Sequence, residues 1–188
     1  MSETRRDLSI PMNDAAAKSL LLVVPIIILQ AAPFFLLYPS PEIPANVNIT
    51  TYGFLLLFGI LFHELIHMFA WALFAKKSLK VFRLGFQWQA LAPYAHCKEP
   101  MDIRPYRIGA FAPGLLLGIL PWFISLFTAD FLLYLYGATY TTAAGGDFLI
   151  LWIIRNVKPN TLVEDHPSNA GCYIIEQNTK DTHDTRTI

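Results

Sequence analysis

Four long apolar blocks, Ser19–Tyr38, Tyr52–Phe74, Ile108–Phe127 and Phe131–Ile154, constrain this 188-residue chain more than anything else in it. Each is close to the roughly 20 residues that a helix needs to cross the hydrocarbon core of a bilayer. The first and third contain no charged residue, and the fourth contains only Asp147. With 54% hydrophobic residues the chain is too apolar for an ordinary soluble domain of its length. The first block is also longer than the roughly 7–15 residues of a signal-peptide core, so it reads as a retained helix.

Charge orients the blocks. Of the 14 Lys and Arg residues, three precede block one, seven lie between Lys76 and Arg107, and four follow block four. The loops at 39–51 and 128–130 have none. If all four blocks span, every basic residue is on one side, and the positive-inside rule makes that side the cytoplasm. The expected protein is therefore a multi-pass protein of the cell membrane with both termini cytoplasmic. The net charge of zero argues against a nucleic-acid partner. Cys97 and Cys172 both fall on the reducing side, where a structural disulfide is not expected.

The fold class expected is an all-α membrane protein of about four transmembrane helices (about 19–38, 52–74, 108–127 and 131–154). A short cytoplasmic β-hairpin or re-entrant segment would lie between the second and third. In that segment "VFRLGFQWQAL" (81–91) alternates Phe82, Leu84, Phe86, Trp88 and Ala90 with polar residues or glycine, the period of a half-buried strand. Residues 1–18 read as a cytoplasmic N-terminal segment, 19–155 as the integral membrane domain and 156–188 as a cytoplasmic C-terminal tail. That tail contains one candidate hairpin, "TLVED" and "CYIIE" joined by "HPSNAG". Its last stretch, "NTKDTHDTRTI", has the composition of a disordered segment.

Inside the second block stands "FHELIHMF", which puts His63, Glu64 and His67 in an otherwise lipid-compatible helix. Residues four apart share a helix face, so the two imidazoles point the same way, and Glu64 lies about 100° round from His63. This is the H-E-x-x-H arrangement of two zinc ligands and a neighbouring carboxylate. Five histidines and six glutamates in a chain of this length give about 0.004 chance matches. An ionisable group at the bilayer centre costs about 2.5–3.5 kcal/mol, so a cluster of them calls for a compensating role.

Catalytic zinc takes three protein ligands and keeps one position open. Asp147, the only other acidic residue in a block, is the leading third candidate. At 1.5 Å per residue His63 lies about 17 Å below Tyr52, and Asp147 about 24 Å below Phe131, a difference within the error of block ends. Gly145 and Gly146 would let the backbone there unwind or pack closely. The alternatives are histidines bonded to backbone or side chains within the bundle, and Asp147 bonded to Thr141, Thr142 or a tyrosine. His96, Cys97 and Glu99, with Asp165 and His166, read as structural or solvated loop residues.

At these residues the chain resembles the intramembrane zinc metalloproteases of the site-2 protease superfamily. Within that group it is similar to a small bacterial family of putative zincin peptidases. The likeness rests on "FHELIHMFAW", "PYAHCKEPM", "RIGAFAPGLLLG", "GGDFLIL" and "EDHPSNAGCYI". The resemblance implies a metalloprotease-like domain over 19–155, zinc held by His63, His67 and Asp147, and Glu64 as catalytic base. Here the aspartate follows Gly145-Gly146 and precedes Phe148, whereas site-2 proteases usually present theirs in a proline-containing Leu-Asp-Gly segment. The activity implied is zinc-dependent hydrolysis of a peptide bond in a membrane-protein or membrane-associated peptide substrate, within or at the edge of the bilayer. Two other readings stay open, a non-catalytic zinc-binding membrane protein (a sensor or carrier) and a membrane scaffold fastened by its polar triplet.

Overall fold

The computed structural model describes residues 3–43, 47–88 and 92–177. Three helices in it are long and apolar enough to cross a membrane: α1 (Met12–Leu37), α2 (Ile49–Phe74) and α3 (Ile103–Thr128). The protein reads as a membrane protein on that basis. Large apolar side chains such as Leu21, Leu29, Leu36, Leu57, Phe58 and Leu73 stand exposed on α1 and α2. Those faces suit lipid rather than water.

Each helix extends beyond its apolar block for a local reason. Helix α1 takes in Asp14 and Lys18, paired at 3.8 Å one turn apart. Helix α2 begins after Asn48, whose side chain accepts from Thr51 N. Helix α3 starts at Ile103, five residues before the block expected at Ile108, because the Asp102 side chain accepts from Arg104 N and Pro105 falls in the first turn, where its missing N–H costs nothing. Past Pro113, α3 runs as a π-helix over Gly114–Ile119 before resuming.

The fourth block is not one helix. Helix α4 (Phe131–Ala143) ends at Ala144, where ψ is 6°, and α5 (Gly145–Ile153) starts at once. Glycines allow this unit to press against its neighbours. A Cβ on Gly137 would strike the backbone of Trp122 and the Gly118 carbonyl, and one on Gly118 would strike the Thr141 backbone. Small residues bringing two backbones together are the usual means of packing helices in lipid. Gln30 reaches across from α1 to donate to Thr141 Oγ1 at 3.0 Å, and Trp122 Nε1 donates to the Gln30 carbonyl at 2.9 Å.

The protein is mostly helical, with a hairpin between α2 and α3 where one was expected, and the all-α expectation is corrected by a second, larger sheet. The first is the hairpin of β2 (Phe82–Gln87) and β3 (Ala92–Cys97), which packs on α2. Within the stretch read as a strand over 81–91, residues 89–91 lie outside the described residues. Among the described residues of its apolar series only Phe82 is buried; Leu84, Phe86 and Trp88 are exposed, with Phe86 and Trp88 edge to face.

The second sheet is antiparallel and four-stranded, in the order β1-β6-β5-β4. It joins β1 (Glu3–Ile10), β4 (Met101–Asp102), β5 (Leu162–Asp165) and β6 (Ala170–Gln177). The β5–β6 hairpin was legible in the sequence, but β1 was not. "ETRRDLSI" carries too many charges to read as a strand alone and forms one by pairing with β6 from Glu3↔Gln177 to Ile10↔Ala170. The tail at 178–188, read as disordered, lies outside the described residues. Below the sheet Trp71, Ile103, Tyr106, Ile154, Val163 and Ile174 form one buried core.

Arg107 ties the broken unit to α3. Its guanidinium donates to the carbonyls of Ile154, Arg155 (3.2 Å) and Val157 (2.8 Å), the orphan acceptors beyond the end of α5. Removing these charge-assisted bonds with Arg107→Leu should destabilise the protein by about 1.5–3 kcal/mol in denaturant unfolding in detergent. Unchanged stability would mean that the α5 end is held by other contacts.

Candidate metal centre

Helix α2 presents His63, Glu64 and His67 toward the bundle, where they are 8%, 8% and 5% exposed. They gain room from Gly59, one turn before His63. A Cβ there would collide with the Tyr140 ring, whose hydroxyl donates to the Leu56 carbonyl. Asp147 stands in the first turn of α5, where a carboxylate is favoured by the helix N-terminus. Asp147 thus stands three residues past the break at Ala144.

The contact is direct. His63 Nε2 lies 3.0 Å from Asp147 Oδ2 and 3.2 Å from His67 Nε2, and His67 Nε2 lies 3.2 Å from Asp147 Oδ1. Among the described residues these three are the set of His, Cys, Asp or Glu side chains whose ligand atoms converge closely enough to hold a metal ion.

The donor chemistry tests whether a metal fits. His67 Nδ1 lies 2.9 Å from the Gly109 carbonyl, which can only accept, so Nδ1 carries the hydrogen. In the neutral ring Nε2 then offers a lone pair, turned toward a second imidazole nitrogen and a carboxylate oxygen. Lone pairs so close in a buried site repel unless a cation lies among them. Tetrahedral zinc with ligands at about 2.0–2.1 Å spaces its ligand atoms about 3.3 Å apart, close to the separations here. A backbone carbonyl holding the remote nitrogen of a ligand histidine is also the usual way its tautomer is set. The donor set therefore fits zinc.

His67 is held by more than one bond. Its ring stacks on Trp71 at 5.3 Å, and Trp71 Nε1 donates to the Tyr106 carbonyl at 3.1 Å. Trp71 in turn stacks on Phe82 and Tyr106. Gly109 serves both partners, since its carbonyl receives His67 and a Cβ there would strike the Trp71 ring.

The centre opens on a cavity of about 540 Å³. Ala15 and Ser19 of α1, Ile60 and Glu64 of α2, Tyr140, Gly146 and the 165–171 turn contribute to its wall, together with Pro93, Tyr94, Ala95 and His96 of β3. Strand β3 pairs only with β2, so its other edge is unpaired in this sheet.

The loop residues set aside as structural or solvated divide on inspection. Glu99 is solvated, paired with Lys77 at 2.7 Å. Cys97 and Cys172 are buried thiols in the core under the sheet, and burial pushes Cys172 up to about 12. His166 organises its own turn, with Nδ1 accepting from Ser168 N and Asn169 N at 3.1 and 2.8 Å. His96 and Asp165 differ. They are bonded to one another at 3.0 Å and line the cavity. The available signal was the alternation of Tyr94 and His96 in a strand beside the metal helix, and nothing in the linear sequence brings Asp165 to it.

Gly109→Ala should push Trp71 aside, loosen His67 and lower the zinc retained per purified chain, whereas Gly146→Ala, whose Cβ meets nothing within 4 Å, should retain the parental amount. Equal zinc content in the two variants would show that Gly109 does not support the site.

No curated protein and no solved structure matches the chain. Residues 54–162, more than half of its length and including His63, Glu64, His67 and Asp147, match the model of a family described as putative zincin peptidase. The chain belongs to that family.

Proposed function

We propose that the protein is a zinc-dependent endopeptidase that cuts a membrane-protein or membrane-associated peptide within or at the edge of the bilayer. The observation that carries this reading is the convergence of His63, His67 and Asp147 on one point of a cavity wall that also bears Glu64. The family's description supports the peptidase class.

His63 and His67 would hold the metal through Nε2, and Asp147 through its carboxylate. Bound there, zinc would supply Lewis acidity that acidifies water near neutral pH and polarises a carbonyl. The chain's own residues do the rest. A Glu64 carboxylate oxygen takes the proton of the attacking water as it adds to the scissile carbonyl, then delivers that proton to the leaving amine. The His67–Gly109 bond and the Trp71 stack keep the ligand ring from turning. Ile60, Trp71 and Ile150 give the cavity apolar walls that limit the water around these groups.

A peptide must be extended to be cut, and the unpaired edge of β3 beside Glu64 is a template for adding a strand. Lys98 N donates to the Val81 carbonyl, so the even-numbered residues of β3 turn their backbone groups to β2 and the odd-numbered ones, with Ala95, turn theirs to the free edge.

The membrane reading has a related support. The four-stranded sheet hydrogen-bonds segments from before α1, between α2 and α3, and after α5, so all three lie at one end of the bundle. That arrangement agrees with four crossings, the fourth made by α4 and α5 together, and with the charge pattern that puts both termini in the cytoplasm. The exposed Leu84 and Phe86 of β2, and Trp88 just after it, would then rest in the interface.

The test is a fluorescence-quenched peptide library presented in detergent micelles. Glu64→Gln should keep the parent's zinc content and cut at least about 100-fold more slowly. Equal cleavage by the variant would remove Glu64 as the base. Zinc that exchanges in a parent cleaving no peptide would favour a carrier or sensor.

A further inference from the structure

The cavity holds a second polar pair for which the peptidase reading has no use. His96, on β3, places Nδ1 3.0 Å from Asp165 Oδ2. The other oxygen of that carboxylate accepts from the Tyr106 hydroxyl at 2.9 Å. Asp165 is therefore held from two sides, and it holds the imidazole in turn. The two side chains are only 22% and 14% exposed, and they line the same cavity as the metal centre and Glu64.

An imidazole whose Nδ1 faces a carboxylate keeps its hydrogen there, which leaves Nε2 as the working atom. Among the described residues Nε2 of His96 has no hydrogen-bond partner, and it is not sealed off in the core. The hydrogen bond that His96 donates to Asp165 raises the proton affinity of the ring, as do the charges of Asp165 and Glu164; burial and Arg83 act against it. The imidazolium therefore persists to higher pH than in a free histidine, with a proton on both nitrogens.

Peptide hydrolysis places negative charge on the scissile carbonyl oxygen, and a preorganised donor in a site shielded from water is an effective way to stabilise it. His96 directly follows Ala95, whose backbone faces the free edge of β3 where an extended substrate would pair and which lines the cavity together with Glu64. We propose that His96 is a further catalytic residue, donating from Nε2–H to the carbonyl oxygen of the scissile peptide as charge develops there, with Asp165 as its positioning residue. This rests on the peptidase reading above. The step forms and breaks no covalent bond at His96; it strengthens one hydrogen bond between ground state and transition state.

The experiment uses the full-length protein in micelles with a peptide that the parent cleaves, selected from the quenched library. His96→Ala should retain the parent's zinc content and should bind the uncleaved peptide, in a Glu64→Gln background, within about twofold of His96 unchanged. Its kcat should fall about 10²–10³-fold, the loss typical of an oxyanion donor. His96→Gln, which keeps a donor at a similar reach, should recover part of the rate and guards against a folding defect in the alanine variant. Asp165→Asn should move the high-pH limit of kcat to lower pH, since the imidazolium loses the carboxylate that sustains it.

Parental turnover in His96→Ala, with Glu64→Gln inactive, would overturn this role and leave the peptidase reading standing. Loss of peptide affinity in step with rate would reduce His96 to a binding residue, and loss of zinc would reduce it to a structural one; either result overturns the proposal. A zinc-loaded parent that cleaves no peptide would sink the peptidase reading and the role of His96 together.

Discussion

Two imidazoles and two carboxylates held out of water in an apolar bundle cannot each be stabilised alone. Burying an isolated charge or an unpartnered polar nitrogen is strongly unfavourable, and within lipid no solvent is at hand to relieve it. The Nε2 atoms of His63 and His67 and the Asp147 carboxylate meet this constraint by converging, 3.0–3.2 Å apart, while Nδ1 of His63 stays buried without a partner among the described residues. A cation in their midst turns three mutually repelling lone pairs into a coordination set. Much of the surrounding architecture can be understood as what is required to hold that meeting point in place.

Three devices do so. The helix break at Ala144 turns Asp147 inward from the start of α5, and Arg107 anchors the far end of that helix. The absence of a side chain at Gly59 and Gly109 lets Tyr140 and Trp71 press close to α2 on the ligand face. Trp71 links the ligand helix to the sheet-covered end of the bundle, stacking on His67 above and on Phe82 and Tyr106 beyond. A change in any of these would reach the metal centre through packing, without touching a ligand.

The apolar blocks and the H-E-x-x-H spacing made the long helices and the shared face of His63 and His67 readable, because hydrophobic length and helical period are local properties of the chain. Asp147 could be singled out by elimination, yet the depth estimate left it about 7 Å from His63, mostly because α2 begins at Ile49 and not at Tyr52. Tertiary packing closes the rest of that gap. For β1 the reason differs: Thr4, Arg5, Arg6 and Asp7 have no strand signal of their own, and pairing with β6 supplies it. The His96–Asp165 pair was hidden for a similar reason, as 69 positions separate its members and the sheet brings them together.

The arrangement of the cavity also gives the proposed chemistry a consistent geometry. One wall carries the ligand histidines and Glu64; β3 contributes an unpaired backbone edge and His96; the 165–171 turn, pinned where Asn169 Nδ2 donates to Ser9 Oγ at 3.1 Å, contributes Asp165. The segments at the two ends of the described chain, β1 and β6, therefore help to shape the site although the family match lies wholly between them.

The most direct test of the central claim is the zinc content of the detergent-purified protein and of Asp147→Ala, measured by elemental analysis on folded, monodisperse material. The account predicts about one zinc per chain in the parent and markedly less in the variant, as expected of a site with three protein ligands. A folded parent without zinc after reconstitution, or an Asp147→Ala variant that binds it as tightly as the parent, would contradict the His63–His67–Asp147 centre.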